Sequence, residues 1–404
     1  MPSLAQEMHN RENIVSYGRA VYNASKTVIE KAREGYDGLI NPSRGANPLV
    51  LGIYETVRHM AWTNPDAKAL AECMYIGGRT NSAHCFPIVP VPLTADIKIE
   101  DVDLSPHHLN EDSLVDGMRY FGAEFIQTLA LDPDARQKNR YFRFLDWIFS
   151  EFERRPDVSK FYRELPPVKK PIFIDTAISG RACTTILGPL DATGFPAYPI
   201  IFADGNGNRL RDPYKNYLRR RERSGYIRFL GMDRILSEDQ GAALLGYWAT
   251  FYPQLLIAAM NNKWLPYAST VTWHDVHEKK DSRMLASYRD TFDSFMDLIT
   301  DVTGALYSLD VEYGNLDGES NKDILDFLGE GKFDDKMNEV ISKMRRYGVP
   351  RIEDPVSMAD EFPFEIDHEK SFETRSHVAH IWLPQSDINT KLQDLHSHLF
   401  LGNA

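Results

Sequence analysis

Residues 171–185 read PIFIDTAISGRACTT, and the fold prediction starts from this stretch. A strand is predicted over residues 168–175, and its apolar run at 171–174 indicates that it is buried and delivers a carboxylate, Asp175, at its carboxyl end. Small and hydroxyl residues then turn the chain, and we expect a helix to begin directly after them. A buried strand followed by a turn and a helix is typical of an α/β protein.

The turn after Asp175 has the composition of a phosphate-binding loop. At the start of a helix, successive backbone N–H groups point outward and the helix dipole adds partial positive charge. Gly180 allows a positive φ and a close backbone approach. Ser179, Thr184 and Arg181 can add hydrogen bonds and charge. An ordinary turn at the end of a strand fits the same residues. Neither a Walker loop nor a dinucleotide fingerprint occurs in the chain.

A second glycine-containing loop lies upstream. Residues 38–40 form a short apolar stretch, the turn-rich segment 41–48 follows, and a helix is predicted over 49–62. In a parallel sheet, the carboxyl ends of adjacent strands meet at one edge, where ligands bind. The two loops can therefore lie side by side. One would hold a monophosphate, and the other, through Arg44 and the Gly45 backbone, a second anion.

The rest of the pattern gives the order of the elements. Strands are predicted at 85–93, whose prolines indicate an edge or a short piece, and at 198–203, before a tight turn at 204–208. Further helices are predicted over 11–35, 214–223, 237–262, 281–309 and 324–344.

Two parts of the chain differ in pattern. Residues 1–235 interleave short strands with helices, which predicts an α/β domain with a mainly parallel sheet flanked by helices. Within it, about residues 94–165 form a helical insertion, centred on a pair of amphipathic helices over 115–152. Residues 236–404 form a mainly helical C-terminal extension.

The two loops together resemble those of the type I phosphoribosyltransferases, which bind 5-phosphoribosyl pyrophosphate (PRPP). In that family an apolar strand, two acidic residues and a T-x-G-T-like loop hold the 5-phosphate. An earlier strand ends in an Arg-Gly dipeptide that meets the pyrophosphate. Residues 172–182 and 41–46 match these two motifs, and the likeness as a whole covers about residues 12–235. It implies a type I phosphoribosyltransferase-like fold and transfer of a 5-phosphoribosyl group from PRPP, with Mg²⁺, to an unidentified base or amine.

The resemblance also implies roles for individual residues. Arg44 would hold the departing pyrophosphate, and Asp175 would position the ribose hydroxyls and the Mg²⁺ ion. The other implied substrate contacts are Ser43, Gly45, Thr176, Ser179, Gly180, Arg181, Ala182, Cys183 and Thr184. Candidate contacts on the acceptor side are Asp204, Asn206 and Arg209. No general base can be assigned.

Two departures from the family pattern keep a second hypothesis open. Thr176 stands where the family has a second acidic residue, and Gly180 lies one position early, with Arg181 in the expected glycine place. The loss of one carboxylate favours a non-catalytic protein of this fold. Such a protein would bind or sense a phosphorylated nucleotide or sugar and act through its helical extension. Arg44 and Gly45 favour an enzyme, because a pyrophosphate grip is useful chiefly for catalysis. In a third interpretation, the helical half carries the function as an interaction module.

Composition limits the partners. The 404 residues carry a net charge of −12, which opposes coating of nucleic acid or of an anionic membrane. Apolar runs fall short of the roughly 20 residues that cross a bilayer, and the first residues lack a signal-peptide pattern. The three cysteines form neither a disulfide framework nor a C-x-x-C pair. We therefore expect a cytoplasmic protein with a small phosphosugar substrate. Homodimers are common in the family, and the sequence leaves the oligomeric state open.

Three other patterns favour ordinary structure. Residues 204–208 alternate oxygen ligands as a calcium loop does, but Lys215 occupies the twelfth position, so a tight turn is expected. The H-x-x-H pairs at 274–277 and 377–380 could bind a metal on a helix, but chance spacing explains them as well. The basic run 219–223 is interpreted as a solvated helix face in an acidic chain.

Overall fold

A single sheet organises the part of the chain that the structure describes. The structure is a computed structural model, and it describes residues 10–42, 45–76, 85–91, 111–131, 165–236, 282–313 and 321–347. The strands are β1 (Gly38–Asn41), β2 (Met74–Ile76), β3 (Phe86–Pro90), β4 (Pro171–Ala177), β5 (Tyr198–Asp204) and β6 (Arg228–Met232). Their order is β2-β3-β1-β4-β5-β6, and every adjacent pair is parallel. The predicted α/β class with a parallel sheet is confirmed.

Helices account for most of the remaining described residues. They are α1 (Arg11–Arg33), α2 (Asn47–Met60), α3 (Pro65–Cys73), α4 (Glu111–Thr128), α5 (Arg181–Ala192), α6 (Tyr214–Arg223), α7 (Ser282–Tyr313), α8 (Asn321–Leu328) and α9 (Glu330–Tyr347). The predicted bounds of α6 are confirmed. The single helix predicted over 324–344 is wrong, since Gly329 separates α8 from α9. Among the described helices, none is both long and apolar enough to cross a membrane.

Strand β3 lies inside the sheet, between β2 and β1. The sequence predicted an edge strand or a short piece because of its prolines; the strand is short, but the edge position is wrong. Pro87 and Pro90 stand near the two ends of the five-residue strand, so Ile88 and Val89 between them keep their N–H groups for the neighbouring strands. Strand β6, half-exposed at the far edge, was not predicted.

The chain connects strands in both directions across the sheet, and this places helices on both of its faces. From β1 the chain passes through α2 and α3 toward β2, and from β4 it passes through α5 toward β5. Right-handed crossovers in opposite directions lie on opposite faces. The packing agrees: α2 and α3 contact α1, whereas α5 contacts α4 and α6. All seven residues of β4 are consequently buried.

The C-terminal helices add a layer over α1 and α2. Helix α7 packs on both, and α8 and α9 pack against α7. A side chain at Gly18 of α1 would collide with Val302, so this glycine allows the helices to approach closely. Tyr17 and Phe295 stack edge to face, with ring centroids 5.7 Å apart. The helix predicted over 281–309 is therefore confirmed as α7, and it shares a hydrophobic core with the sheet helices.

A polar network also ties α7 to α1. Tyr22 Oη donates to Asp310 Oδ2 at 2.5 Å, and Lys26 Nζ donates to the same oxygen at 2.9 Å. Burial alone would raise the pKa of Asp310, but these two hydrogen bonds and the Lys26 charge outweigh it and hold that pKa below its ordinary value. The carboxylate form of Asp310 therefore stabilises the contact between the two helices.

Several predictions lie outside the described residues. They are the second half of the helix pair over 115–152, the helix over 237–262 and both H-x-x-H pairs. The described part of the predicted insertion is α4, which packs against α5 and so belongs to the helix layer on that face of the sheet. The division of the chain at about residue 235 stays a prediction.

Candidate ligand site at the carboxyl edge of the sheet

The two predicted loops follow neighbouring strands. Strands β1 and β4 pair in parallel, with Leu39 opposite Ile172 and Ile40 opposite Phe173. The chain leaves β1 toward one edge of the sheet and leaves β4 toward the other. Adjacent strands whose connections diverge open a crevice at their carboxyl ends, which is where open α/β sheets bind ligands. Asn41 and Asp175 lie at or near the carboxyl ends of these two strands.

The loop after β1 is closed by a buried pair of amides. The Asn41 side chain, fully buried, donates to Asn47 Oδ1 at 2.7 Å, which joins the end of β1 to the start of α2. Gly45 and Ala46 form the turn between them. Ser43 and Arg44 lie outside the described residues, so their contacts with a pyrophosphate stay predictions. Sequence reasoning missed Asn47, whose role depends on the fold of the loop.

Asp175, near the carboxyl end of β4, is a buried carboxylate with only 2% of its surface exposed. Its Oδ1 accepts the Thr176 N–H at 2.8 Å. The Cys183 thiol, on the first turn of α5, lies 3.2 Å from Oδ2 and 3.1 Å from the Thr176 carbonyl oxygen. A buried carboxylate is costly unless it is hydrogen-bonded, and these contacts hold it in one orientation at the base of the crevice.

Helix α5 begins at the same place. Gly180, its N-cap, has a left-handed φ of +85° and, being glycine, has no side chain of its own to cap the helix. The Arg181 N–H lies 3.4 Å from Ser179 Oγ, and the first hydrogen bond of the helix runs from the Thr184 N–H to the Gly180 carbonyl at 3.1 Å. The start of α5, including half-buried Ala182, therefore combines backbone donors with the positive end of a 12-residue helix dipole.

Gly180 is also a packing position. A Cβ there would lie 3.1 Å from Leu210 Cδ2 and 3.1 Å from Tyr214 Cβ. The Arg211 N–H donates to the Ser179 carbonyl at 3.1 Å, which fastens the segment before α6 to the loop. The loop is thus braced by the segment that links β5 to α6, in which Arg211 is exposed.

Thr184, predicted to contact the phosphate, is more deeply buried than Ser179, Arg181 and Ala182. Its side chain is fully buried, and its hydroxyl donates toward the Gly180 and Arg181 carbonyls at 3.0 and 2.9 Å. In this arrangement the Thr184 hydroxyl proton stays within the helix. The polar atoms near the surface of the loop belong to Ser179, Arg181 and Ala182, which are half-buried.

The three residues predicted on the acceptor side take part in a network at the end of β5. Asp204, 1% exposed, accepts from Arg209, from Arg234 at 3.0 Å and from the Ile235 N–H at 2.8 Å. This network ties the segment after β6 to the carboxyl end of β5. Sequence reasoning missed Arg234, which lies 30 residues beyond Asp204 and carries no motif.

Asn206 joins the same region, since its side-chain amide donates to Asp233 Oδ1 at 2.9 Å. The tight turn predicted at 204–208 is confirmed as a 3-10 turn over Gly205–Gly207. Among the described residues, no group of three or more His, Cys, Asp or Glu side chains is placed to hold a metal ion. A contact of Asp204, Asn206 or Arg209 with an acceptor stays a prediction.

The chain matches no protein-family model, no curated protein and no solved structure in the comparisons. Its function therefore has to be inferred from the geometry of the crevice.

Proposed function

We propose that the protein binds PRPP, with Mg²⁺, in the crevice between β1 and β4, and that it transfers the 5-phosphoribosyl group to a base or amine acceptor. The observation that supports this most is the pairing of β1 with β4 at the point where their connections diverge. It brings two loops with separate anion-binding features to one edge, as a ligand with a phosphate at one end and a pyrophosphate at the other requires.

Each part of the crevice suits one part of that ligand. The start of α5 and Ser179 suit the 5-phosphate, because they offer backbone donors and positive helix-dipole charge. Asp175, fixed by Thr176 and Cys183, suits the ribose hydroxyls. Gly45 and Arg44 suit the pyrophosphate, whose departure they would assist by stabilising its charge.

Asp175 and the phosphates of the substrate together match the oxygen ligands that Mg²⁺ takes. This ion is commonly held by one or two carboxylates together with the phosphates of its substrate. Asp175 is the carboxylate at the crevice, and the pyrophosphate would supply the other oxygens. When bound, Mg²⁺ would neutralise the charge of the leaving group. Positioning of the ribose and retention of the pyrophosphate remain the task of Asp175 and of the loop containing Arg44.

Thr176 supports a second candidate function, a sensor of a phosphorylated nucleotide or sugar without turnover. It stands in the place of the second acidic residue and is 5% exposed. A crevice with one carboxylate can bind the anionic ends of such a ligand while holding its ribose less firmly. The two functions share the same crevice and differ in whether pyrophosphate is released.

Calorimetric titration of PRPP into the protein, with and without Mg²⁺, tests the proposal. We expect binding at micromolar strength that depends on Mg²⁺. Release of pyrophosphate in the presence of purine bases, pyrimidine bases or ammonia would identify an enzyme. Binding without release would identify the sensor. If neither PRPP nor nucleoside monophosphates produce heat or a thermal shift, the proposal is wrong.

Variants place the binding at the crevice. We expect Arg44→Ala and Asp175→Asn each to abolish PRPP binding. Arg58→Ala is the matched control, because Arg58 lies on α2 with an exposed side chain and pairs only loosely, at 3.6 Å, with Glu55. Unchanged affinity in both crevice variants would contradict the site assignment.

A further inference from the structure

Two of the three cysteines lie next to each other at the start of the β2–β3 pair. Helix α3 ends at Cys73, directly before β2, and Cys85 directly precedes β3. Met74 pairs with Phe86 in the parallel ladder. Cys73 and Cys85 therefore each lie one residue before this pair, at the same end of the two neighbouring strands.

The spacing suits a covalent bond. Paired strands lie about 4.8 Å apart, and disulfide-bonded cysteines have Cα atoms about 4.4–6.8 Å apart. Both residues are half-buried, so small reagents can reach them, whereas Cys183 is buried. The Cys73 thiol lies 3.3 Å from the Ala69 carbonyl and 3.2 Å from the Leu70 carbonyl of its own helix, so it must rotate about its Cα–Cβ bond to meet Cys85.

Electrostatics agree with this proximity. Burial raises the pKa of the Cys73 thiol, its own backbone hydrogen bond opposes that rise, and the charge that Cys85 carries as a thiolate adds to it. The raised pKa leaves less of the attacking thiolate form on Cys73 near neutral pH.

We propose that Cys73 and Cys85 form a reversible disulfide when the protein meets a low-molecular-weight disulfide such as oxidised glutathione. The Cys85 thiolate attacks one sulfur of the oxidant and releases one glutathione thiolate. The Cys73 thiolate then attacks the Cys85 sulfur of the mixed disulfide and releases the second glutathione. The two protein thiols lose two protons and two electrons, and the glutathione disulfide is reduced to two thiols.

The bond would fasten a short edge strand of the sheet to its neighbour. Strand β2 has three residues and, within the described sheet, lies at the edge with β3 as its neighbour. A disulfide between Cys73 and Cys85 would fasten the end of α3 and the start of β2 to β3. This inference is independent of the proposed function, because neither cysteine borders the crevice between β1 and β4.

Peptide mapping by mass spectrometry tests the inference. The native protein is incubated in oxidised and reduced glutathione at several ratios, then denatured, alkylated and digested. We expect a Cys73–Cys85 cross-linked peptide, with one cysteine alkylated instead of the three alkylated after full reduction. Oxidation should also raise the melting temperature of the wild type by several degrees.

Single variants separate this pair from other outcomes. Cys183→Ser should still form the cross-link, whereas Cys73→Ser should leave Cys85 as a glutathione adduct and abolish the rise in melting temperature. Separate glutathione adducts on Cys73 and Cys85 in the wild type, or a cross-link to Cys183, would overturn the inference. So would a cross-link that forms no faster in the native protein than in urea.

Discussion

Replacement of Gly180 by alanine tests whether the loop after β4 is held as tightly as the structure indicates. The backbone at Gly180 has φ +85°, and a left-handed conformation costs a non-glycine residue about 1–2 kcal/mol. The new methyl group would also lie 3.1 Å from Leu210 and 3.1 Å from Tyr214. Overpacking of this kind adds about 1–3 kcal/mol. We therefore expect Gly180→Ala to lower the free energy of unfolding by about 2–5 kcal/mol in total.

Gly35→Ala is a matched control for this variant. Gly35 has the same φ of +85°, but no atom lies within 4 Å of the position its Cβ would take. It should therefore show the backbone cost alone, about 1–2 kcal/mol. Equilibrium unfolding in urea measures both variants. The packing cost is the difference between them, and we expect PRPP affinity to fall in Gly180→Ala alone. Equal destabilisation of the two variants would refute the close packing of the loop against α6.

Two further predictions concern buried and half-buried carboxylates. Asp204→Asn should destabilise the protein by about 2–3 kcal/mol, because it removes the negative charge with which Arg209 and Arg234 pair at the end of β5. Asp301→Asn, in an exposed ion pair on α7, should change the free energy of unfolding by less than about 0.5 kcal/mol, and urea unfolding of both variants checks the contrast. Asp310 has a lowered pKa in the folded protein, so its contribution is fully present above its unfolded value of about 4 and is lost as the pH falls through the folded value. The difference in unfolding free energy between wild type and Asp310→Asn should therefore be constant from pH 5 to pH 8 and shrink below about pH 4; a difference that stays constant as the pH falls below 4 would contradict this.

Local pattern was enough to predict the elements around the crevice. The strand Pro171–Ala177 and the basic helix Tyr214–Arg223 lie where the sequence predicted them, as does the long helix Ser282–Tyr313 of the C-terminal layer. The helix after the turn is present but begins earlier than predicted, at Arg181, so that Ala182 and Thr184, expected in the turn, belong to the first turn of the helix. Each has a strong signal of its own, such as an apolar run, a helical period or a turn residue like Gly180.

Features that depend on distant partners were not predictable in this way. The prolines of Phe86–Pro90 favour an edge strand when the sequence is considered alone. In the structure this strand has a neighbour on each side and is interior. The half-exposed strand Arg228–Met232 has no clear alternation to identify it. Arg234 meets Asp204, and Asn47 meets Asn41, through the folding of loops rather than through spacing in a motif. Whether the crevice binds a phosphosugar stays a prediction that rests on two short motifs.

Hydrogen–deuterium exchange with and without PRPP and Mg²⁺ tests most directly whether one ligand contacts both loops. The account predicts slower exchange in peptides that cover residues 41–47 and 175–184, at the carboxyl ends of β1 and β4, and little change in the helices Ser282–Tyr313 and Glu330–Tyr347. Slower exchange confined to those helices, or unchanged exchange in both loops at saturating PRPP, would contradict the account.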